Sequence, residues 1–355
     1  MTRTRPQHPA GRAADGTTHS PKDLAMSISR RTVIGGLAAA SALAALAACG
    51  GSGGGGTTEI TYGYIPDFNG ASLLAIADDR GLWEENGLKA TLQTFTNGPL
   101  QIQALGTGDL DFGYIGPGAM WLPASGKAKV LTVNGVGQAD RVIAQPGIDS
   151  LEALAGKKVA IPEGTSGDMI VQLALQSAGM SIEDVEKVAM DPSTVVSAFS
   201  SGQVDAAGIW YPMIDNIKQQ VPDLVELAQN SDFADVMQFP NVMVTSATYP
   251  EENEETTLAV LKVLRAAMDV RAEDLDATVE LTAKLTQQDA EAVAADAQNG
   301  QYYTAAELDA LVGDGTVETW LTAMNEYFEE NGKIEGETVA PADYYTFDLF
   351  TEAGK

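Results

Sequence analysis

The stretches "GDLDFGYIGP" (Gly108–Pro117) and "GQVDAAGIWYP" (Gly202–Pro212) are nearly one phrase written twice, 94 residues apart. Each runs Gly, any residue, an aliphatic and Asp, then a short apolar run that Pro closes. A second echo lies upstream, where Ile65-Pro66-Asp67 returns 96 residues later as Ile161-Pro162-Glu163. Both follow a β-prone segment and precede a Gly-rich turn. The chain therefore contains two related units.

Working outward from Thr57, "EITYGYI" alternates as a strand, "DFNG" turns, and "ASLLAIADDRGLW" reads as an apolar helix. "KATLQTF" is a second strand, "NGPLQIQALGTG" a helix with Pro99 in its first turn, and "DFGYIG" a third strand. From Lys157 the order repeats through "KKVAIP", "DMIVQLALQSAG", "VEKVAM", "PSTVVSAFSSG" and "DAAGIW". This β-α-β-α-β alternation predicts an α/β fold of two lobes, each a mostly parallel sheet flanked by helices. Chain crossings between lobes are expected at "LTVNGVGQADRVIAQPG" and at "FPNVMVTSATYP", residues 239–250. One lobe then comprises residues 57–140 and 239–355, the other residues 141–238. Leu258, Leu261, Leu264 and Met268 share one helical face, a core stripe of C-terminal helices on the first lobe. In such sheets strand carboxyl ends and helix amino ends converge on one crevice. The turns after Ile65, Ile115, Ile161 and Ile209 form those edges, and two facing lobes enclose a cleft.

The amino-terminal region reads differently. Ser29-Arg30-Arg31-Thr32 opens a twin-arginine pattern, followed by an apolar run to Ala48 and then Cys49-Gly50. The run falls short of the ~20 residues that span a bilayer, so residues 1–48 are expected to be an export signal, with translation starting at Met1 or Met26. Cys49 is then the lipidation site, residues 49–56 a Gly-rich tether, and the protein an extracytoplasmic lipoprotein. Loss of 1–48 removes six of 21 basic and two of 49 acidic residues, leaving a net charge of −32. So acidic a body repels nucleic acid. His8 and His19 leave with the signal, and Cys49 is the single cysteine. That inventory excludes His-dependent nucleophilic triads, His or Cys metal sites and disulfides, so no cofactor and no metal are expected; carboxylate or lysine chemistry stays open, but no HExxH, GxSxG or GxxxxGKS pattern occurs and the sequence leans towards binding.

The segments "ASLLAIADDRGLWEENGL", "TFTNGPLQIQALGTGDLDFGYIG", "LAGKKVAIPEGTSGDMIVQLALQSAG" and "VVSAFSSGQVDAAGIWYPMI" resemble the substrate-binding proteins of ABC importers for nitrate, sulfonates and taurine. These are the group sharing the SsuA/THI5-like (NMT1) domain. The resemblance implies a type II periplasmic-binding-protein fold, a monomer that closes on a small solute and presents it to permease and ATPase subunits. It places ligand contacts at Asp67, Asn69, Gly70, Asn97, Gly98, Gly116, Pro117, Gly118, Thr165, Ser166, Gly167, Asp168, Trp210 and Tyr211. An anionic head would rest on backbone N–H groups near Gly116–Gly118 and Thr165–Gly167, which helix amino ends permit without a basic side chain. Arg141 is the one cation placed near the cleft, or else a solvated surface charge. "IWYP" stands where sulfonate binders read "IWDP", and Asp168 where they place Ser or His. Asp67 and Asp168 would repel an anion and could engage an amine, which favours a zwitterion or a pyrimidine-like thiamin precursor; alternatively Asp168 completes a capping box with Thr165. Asp111 and Asp205 read as turn formers, and Trp210 as either a stacking surface or core. A thiamin-pathway enzyme of this family relies on histidine and a cysteine-rich stretch, which the trimmed chain lacks; a non-transport sensor is the remaining alternative.

Overall fold

A computed structural model describes residues 56–355. The expected export pair Arg30 and Arg31, the lipidation site Cys49 and nearly all of the tether lie outside the described residues. Eleven strands are formed: β1 (Thr58–Tyr64), β2 (Leu88–Thr94), β3 (Phe112–Ile115), β4 (Ala128–Gly137), β5 (Asp140–Ala144), β6 (Lys158–Ile161), β7 (Glu186–Ala189), β8 (Ala206–Trp210), β9 (Val225–Gln229), β10 (Pro240–Ser246) and β11 (Gly300–Gln301). They make two sheets, ordered β11-β4-β10-β3-β1-β2 and β7-β6-β8-β5-β9. The helices that matter here are α1 (Phe68–Arg80), α2 (Gly98–Thr107), α3 (Ser166–Ser177), α4 (Pro192–Ser200), α5 (Glu254–Glu273), α6 (Leu275–Thr286), α7 (Ala290–Ala297) and α8 (Thr316–Glu330).

Each repeat unit gives the parallel pairs its alternation predicts: β1 with β2 and β3, and β6 with β7 and β8. Two strands run against these sets, β10 between β3 and β4 in the first sheet and β5 between β8 and β9 in the second. These are the segments that pass between lobes, and a strand that enters from the opposite lobe has no crossover helix to bring it in parallel. The second passage lies at residues 230–239, ahead of the segment that the sequence marked for it. "PNVMVTS" is instead the buried strand β10; a continuous β-branched run looks alike whether it crosses or sits in mid-sheet.

The twice-written phrase has a structural cause. Asp111 stands just before β3, and its Oδ2 accepts hydrogen bonds from the Thr61 backbone N–H at 2.7 Å and the Thr61 hydroxyl at 2.8 Å in neighbouring β1. Asp205, just before β8, accepts the Lys158 N–H at 2.9 Å in neighbouring β6. In both lobes one carboxylate thus satisfies a backbone donor of the adjacent parallel strand where the two begin, which sets their register. Tyr114 and Gly208 stand three residues after these aspartates, and there the copies diverge. A Cβ on Gly208 would lie 2.0 Å from the Gly167 carbonyl oxygen, so α3 packs directly on the β8 backbone. Tyr114 instead reaches the cleft.

The first lobe is capped by α5, whose Leu261, Leu264, Ala267 and Met268 are buried beside α1. Each such buried side chain contributes roughly 1.5–3 kcal/mol. Arg271, a turn beyond Met268 on α5, is also fully buried. Among the described residues no helix is long and apolar enough to cross a membrane.

Candidate functional site

Between the sheets lies a cavity that is part enclosed and part open at the cleft mouth. Its wall comes from the carboxyl ends of the parallel strands: Ile65, Asp67 and Asn69 after β1, Asn97 and Gly98 after β2, and Tyr114, Gly116, Pro117 and Ala119 at and after β3. The other lobe supplies Thr165 and Ser166 after β6 and Trp210 and Tyr211 at the end of β8. Gly137, Ala139 and Asp140 of the first passage and Asn241 of β10 close the floor.

Helix capping explains why these side chains sit where they do. Asp67 Oδ1 accepts the Gly70 N–H at 2.6 Å and so caps α1; Asn97 Oδ1 accepts the Leu100 N–H at 3.0 Å and caps α2. Thr165 Oγ1 accepts the Gly167 N–H at 3.2 Å and caps α3. A strand that ends at the crevice must be followed by a cap, so the polar caps line the cavity. Asn241 Oδ1 accepts the Tyr114 hydroxyl at 3.0 Å, which ties β10 to β3 across the floor.

The electrostatics are one-sided. Among the lining residues there is no Lys or Arg, and the two charged ones are Asp67, from the first lobe, and Asp140, at the start of β5. Burial pushes the Asp67 carboxyl well above the ordinary carboxylate range, opposed by its bond from Gly70 and reinforced by Asp140. Asp140 is likewise raised by burial, against bonds from Ser166 and Asn230 and the charge of Arg141. Behind them Asp296 of α7 accepts the Phe68 N–H at 2.7 Å, and burial, then Asp67, raise it too.

Five residues expected at the ligand do not line the cavity. Gly70, Gly118 and Gly167 are glycines of close approach: their would-be Cβ atoms meet Ile65 O at 2.4 Å, Thr165 C at 2.1 Å and Gly208 O at 2.6 Å. Arg141 does not line the cavity and is not a solvated charge. It is buried, with Nε on Glu226 at 2.9 Å, its NH1 group on the carbonyls of Gln138 and Asp140, and its NH2 group on Asn299. A guanidinium with five donors is suited to lacing a chain crossing, and that is its use here. Asp168 is buried away from the cavity: its Oδ2 accepts the Gly164 N–H at 2.9 Å and the Lys333 ammonium at 2.6 Å, and its Oδ1 the Gln172 amide at 2.7 Å. It stabilises the turn ahead of α3 as a capping acid would, one residue earlier than a capping box requires. Asp67 both caps and lines. Tyr114, Asp140 and Asn241 were not singled out from sequence. Tyr114 stood inside the repeat, where its divergence from Gly208 was a usable signal; Asp140 and Asn241 carry no motif and reach the floor only because both passages cross there.

Several contacts join the lobes directly. Gly118 abuts the Thr165–Ser166 backbone, and Trp121 Nε1 donates to Gly164 O at 3.4 Å. Lys333, just after α8, pairs with Asp168 of α3, and Gln176 donates to Asn331 at 2.6 Å. Because these exist only when the lobes are together, they favour closure. A Lys333→Met substitution is expected to raise the dissociation constant of any closure-dependent guest about 5–30-fold, corresponding to ~1–2 kcal/mol for a partly buried charged hydrogen bond. Isothermal titration calorimetry checks it.

Comparison with known proteins gives a consistent result. The NMT1/THI5 like family model matches residues 70–277. A candidate binding protein of Brucella abortus (strain 2308) is 50% identical over 292 residues, spanning 82% of this chain and 91% of that protein. The taurine-binding periplasmic protein of Escherichia coli (strain K12) is 24% identical over 154 residues, 42% of this chain and 48% of that one. Among solved structures, the alkanesulfonate-binding protein SsuA of Xanthomonas axonopodis pv. citri, bound to MOPS, superimposes with a TM-score of 0.65 at 20% identity, over 82% of this chain and 99% of that one. The desulfurization enzyme DSZB shares the fold, with a TM-score of 0.61 at 14% identity over 83% and 98% of the two chains.

Proposed function

From the premise that this chain belongs to the NMT1/THI5-like family, we propose that it is the solute receptor of an ABC importer, one that closes its two lobes on a small molecule and delivers it to a permease. The observation that carries this reading is the cavity walled from both lobes, with backbone-to-backbone contact at its rim. A guest that touches both walls gains its full contacts only in the shut form and so shifts the population towards it. Taurine and sulfonates, named for relatives, set the size class of the guest. An export signal and a lipid on Cys49 place the receptor outside the cell membrane, tethered beside its transporter. The Thr165 hydroxyl is spent on the Pro162 carbonyl and the Gly167 N–H, and the Ser166 hydroxyl bonds Asp140 with no histidine or lysine in the lining, which favours capture over reaction.

Small-angle scattering of the chain with and without solute tests the proposal. A fall in radius of gyration at saturation is expected. A radius unmoved by every solute that raises the melting temperature would sink it, since binding without closure cannot signal occupancy to a permease.

A further inference from the structure

Resting on the receptor reading above, we propose that the guest carries a protonated nitrogen, held between Asp67 of one lobe and Asp140 on the floor at the start of β5, and is therefore a small organic amine or aminated heterocycle instead of a simple anion. Four features of the cavity carry this.

First, both carboxylates are more than nine-tenths buried and line the same cavity, and no lysine or arginine does. Second, the cations around the cavity are committed elsewhere, Arg271, which faces Tyr114 and Tyr302, to Ser72 and Asn134. Arg141 and Lys218 both bind Glu226, at 2.9 and 2.7 Å, and Lys218 also meets the Tyr211 hydroxyl. Third, buried hydrogen-bonding atoms stand idle beside the carboxylates: Asn69 Oδ1 and Asn241 Nδ2 have no partner, and both residues line the cavity. An unpaired buried acceptor costs free energy until a donor arrives, and the N–H groups of a cation supply that donor. The idle amide of Asn241 asks in turn for an acceptor on the guest, and Tyr114 and Trp210 add to the lining aromatic rings of a kind suited to an organic cation, whereas the Tyr211 ring is already taken by Arg141 and Lys218. A strongly hydrated inorganic ion would use neither. Fourth, a contiguous recess shares Ile65, Asp67 and Trp210 and adds Asp215 and Asp289, so the approach is acidic as well. Asp215 Oδ2 is buried without a partner. An acidic mouth with low-dielectric walls concentrates cations and repels sulfonates.

Titration supports the geometry. Facing Asp67 are Asp140, Asp296, Tyr114 and Tyr302; Arg141 faces Asp140, and Lys218 faces Asp215. Because burial raises the folded-state values of Asp67, Asp140 and Asp296, these groups contribute stability to the empty protein where they are protonated, and that contribution is lost as pH rises through their raised values. A bound cation reverses that penalty, so its affinity rises with pH over the same window and falls when protons compete.

The test is a melting-temperature panel on the purified chain at about pH 8 and about pH 5, a span that brackets the Asp67 value of about 7. Ethylamine, taurine and 4-aminopyridine serve as nitrogen-bearing probes, ethanesulfonate and nitrate as purely anionic ones. The expected result is stabilisation by a nitrogen-bearing probe at the higher pH, at least ~10-fold weaker binding at the lower, and none by the anions. Asp67→Asn keeps the α1 cap, which Asn makes as well as Asp. The variant is expected to melt at or above the parent temperature while binding the probe at least ~10-fold more weakly, as loss of a charged partner requires. Stabilisation by ethanesulfonate or nitrate alone, or unimpaired amine binding by Asp67→Asn, overturns the charge assignment and leaves the receptor reading standing. Silence from all probes, with no compaction in scattering, removes both.

Discussion

A Gly118→Val chain is expected to fold like the parent and to bind solute about 100-fold more weakly, the upper end of the ~3 kcal/mol that an overpacked contact costs. The three atoms nearest the missing Cβ are Thr165 C, Ser166 N and Thr165 O, at 2.1 to 2.2 Å, and all belong to the facing lobe. In an open molecule the valine meets none of them. In a shut one it meets backbone, which cannot swing aside as a side chain can. The prediction therefore separates folding from closure: the melting temperature without solute stays near the parent value, while calorimetry shows the lost affinity and scattering shows a radius that no longer contracts. Near-normal binding by this variant would mean that the guest is held by one lobe alone.

The second large effect is expected at a residue that does not itself line the cavity. Arg271→Leu should cost about 3–5 kcal/mol of stability, because it strips charged hydrogen bonds and strands buried acceptors at ~1–3 kcal/mol each. On the order of 10 °C in melting temperature follows for a chain of this length. The guanidinium donates to Asn134 Oδ1 at 2.8 Å, Asn134 O at 2.6 Å and Ser72 Oγ at 3.1 Å, and lies 4.5 Å from the centre of the Tyr302 ring. Burial lowers its pKa to about 10, still leaving it charged at neutral pH. Asn134 in turn donates to the carbonyl of Asn69, whose side chain lines the cavity. Arg271 is thus a positioning residue that ties α5, β4 and the amino end of α1 together. Thermal unfolding with a calorimetric enthalpy checks the cost; a loss below ~1 kcal/mol, the range of an ordinary exposed substitution, contradicts it.

The physical difference between the two sites is instructive. Gly118 matters because of what it lacks, at one rim where the lobes touch. Arg271 matters because α5 brings a charge into a region with polar but no anionic partners, so its value lies in hydrogen bonds and not in an ion pair.

Sequence by itself determined the repeat, the alternation of strands and helices, and the four turns that edge the crevice. These are encoded locally, in periods of two and 3.6 and in caps and turn residues that act within a few positions. Ile65, Asp67, Asn97, Thr165 and Trp210 were accordingly legible as cleft residues, being the ends of strands or the caps that follow them. The charge of the cavity was not legible. Asp168 and Asp140 are both single aspartates near apolar runs, yet tertiary structure gave the first to Lys333, 165 positions away, and turned the second into the cavity floor. It likewise took Arg141 out of the site by pairing it with Glu226 across antiparallel strands β5 and β9. Pairings over such separations follow from how the lobes cross and close, and no local rule of sequence contains them.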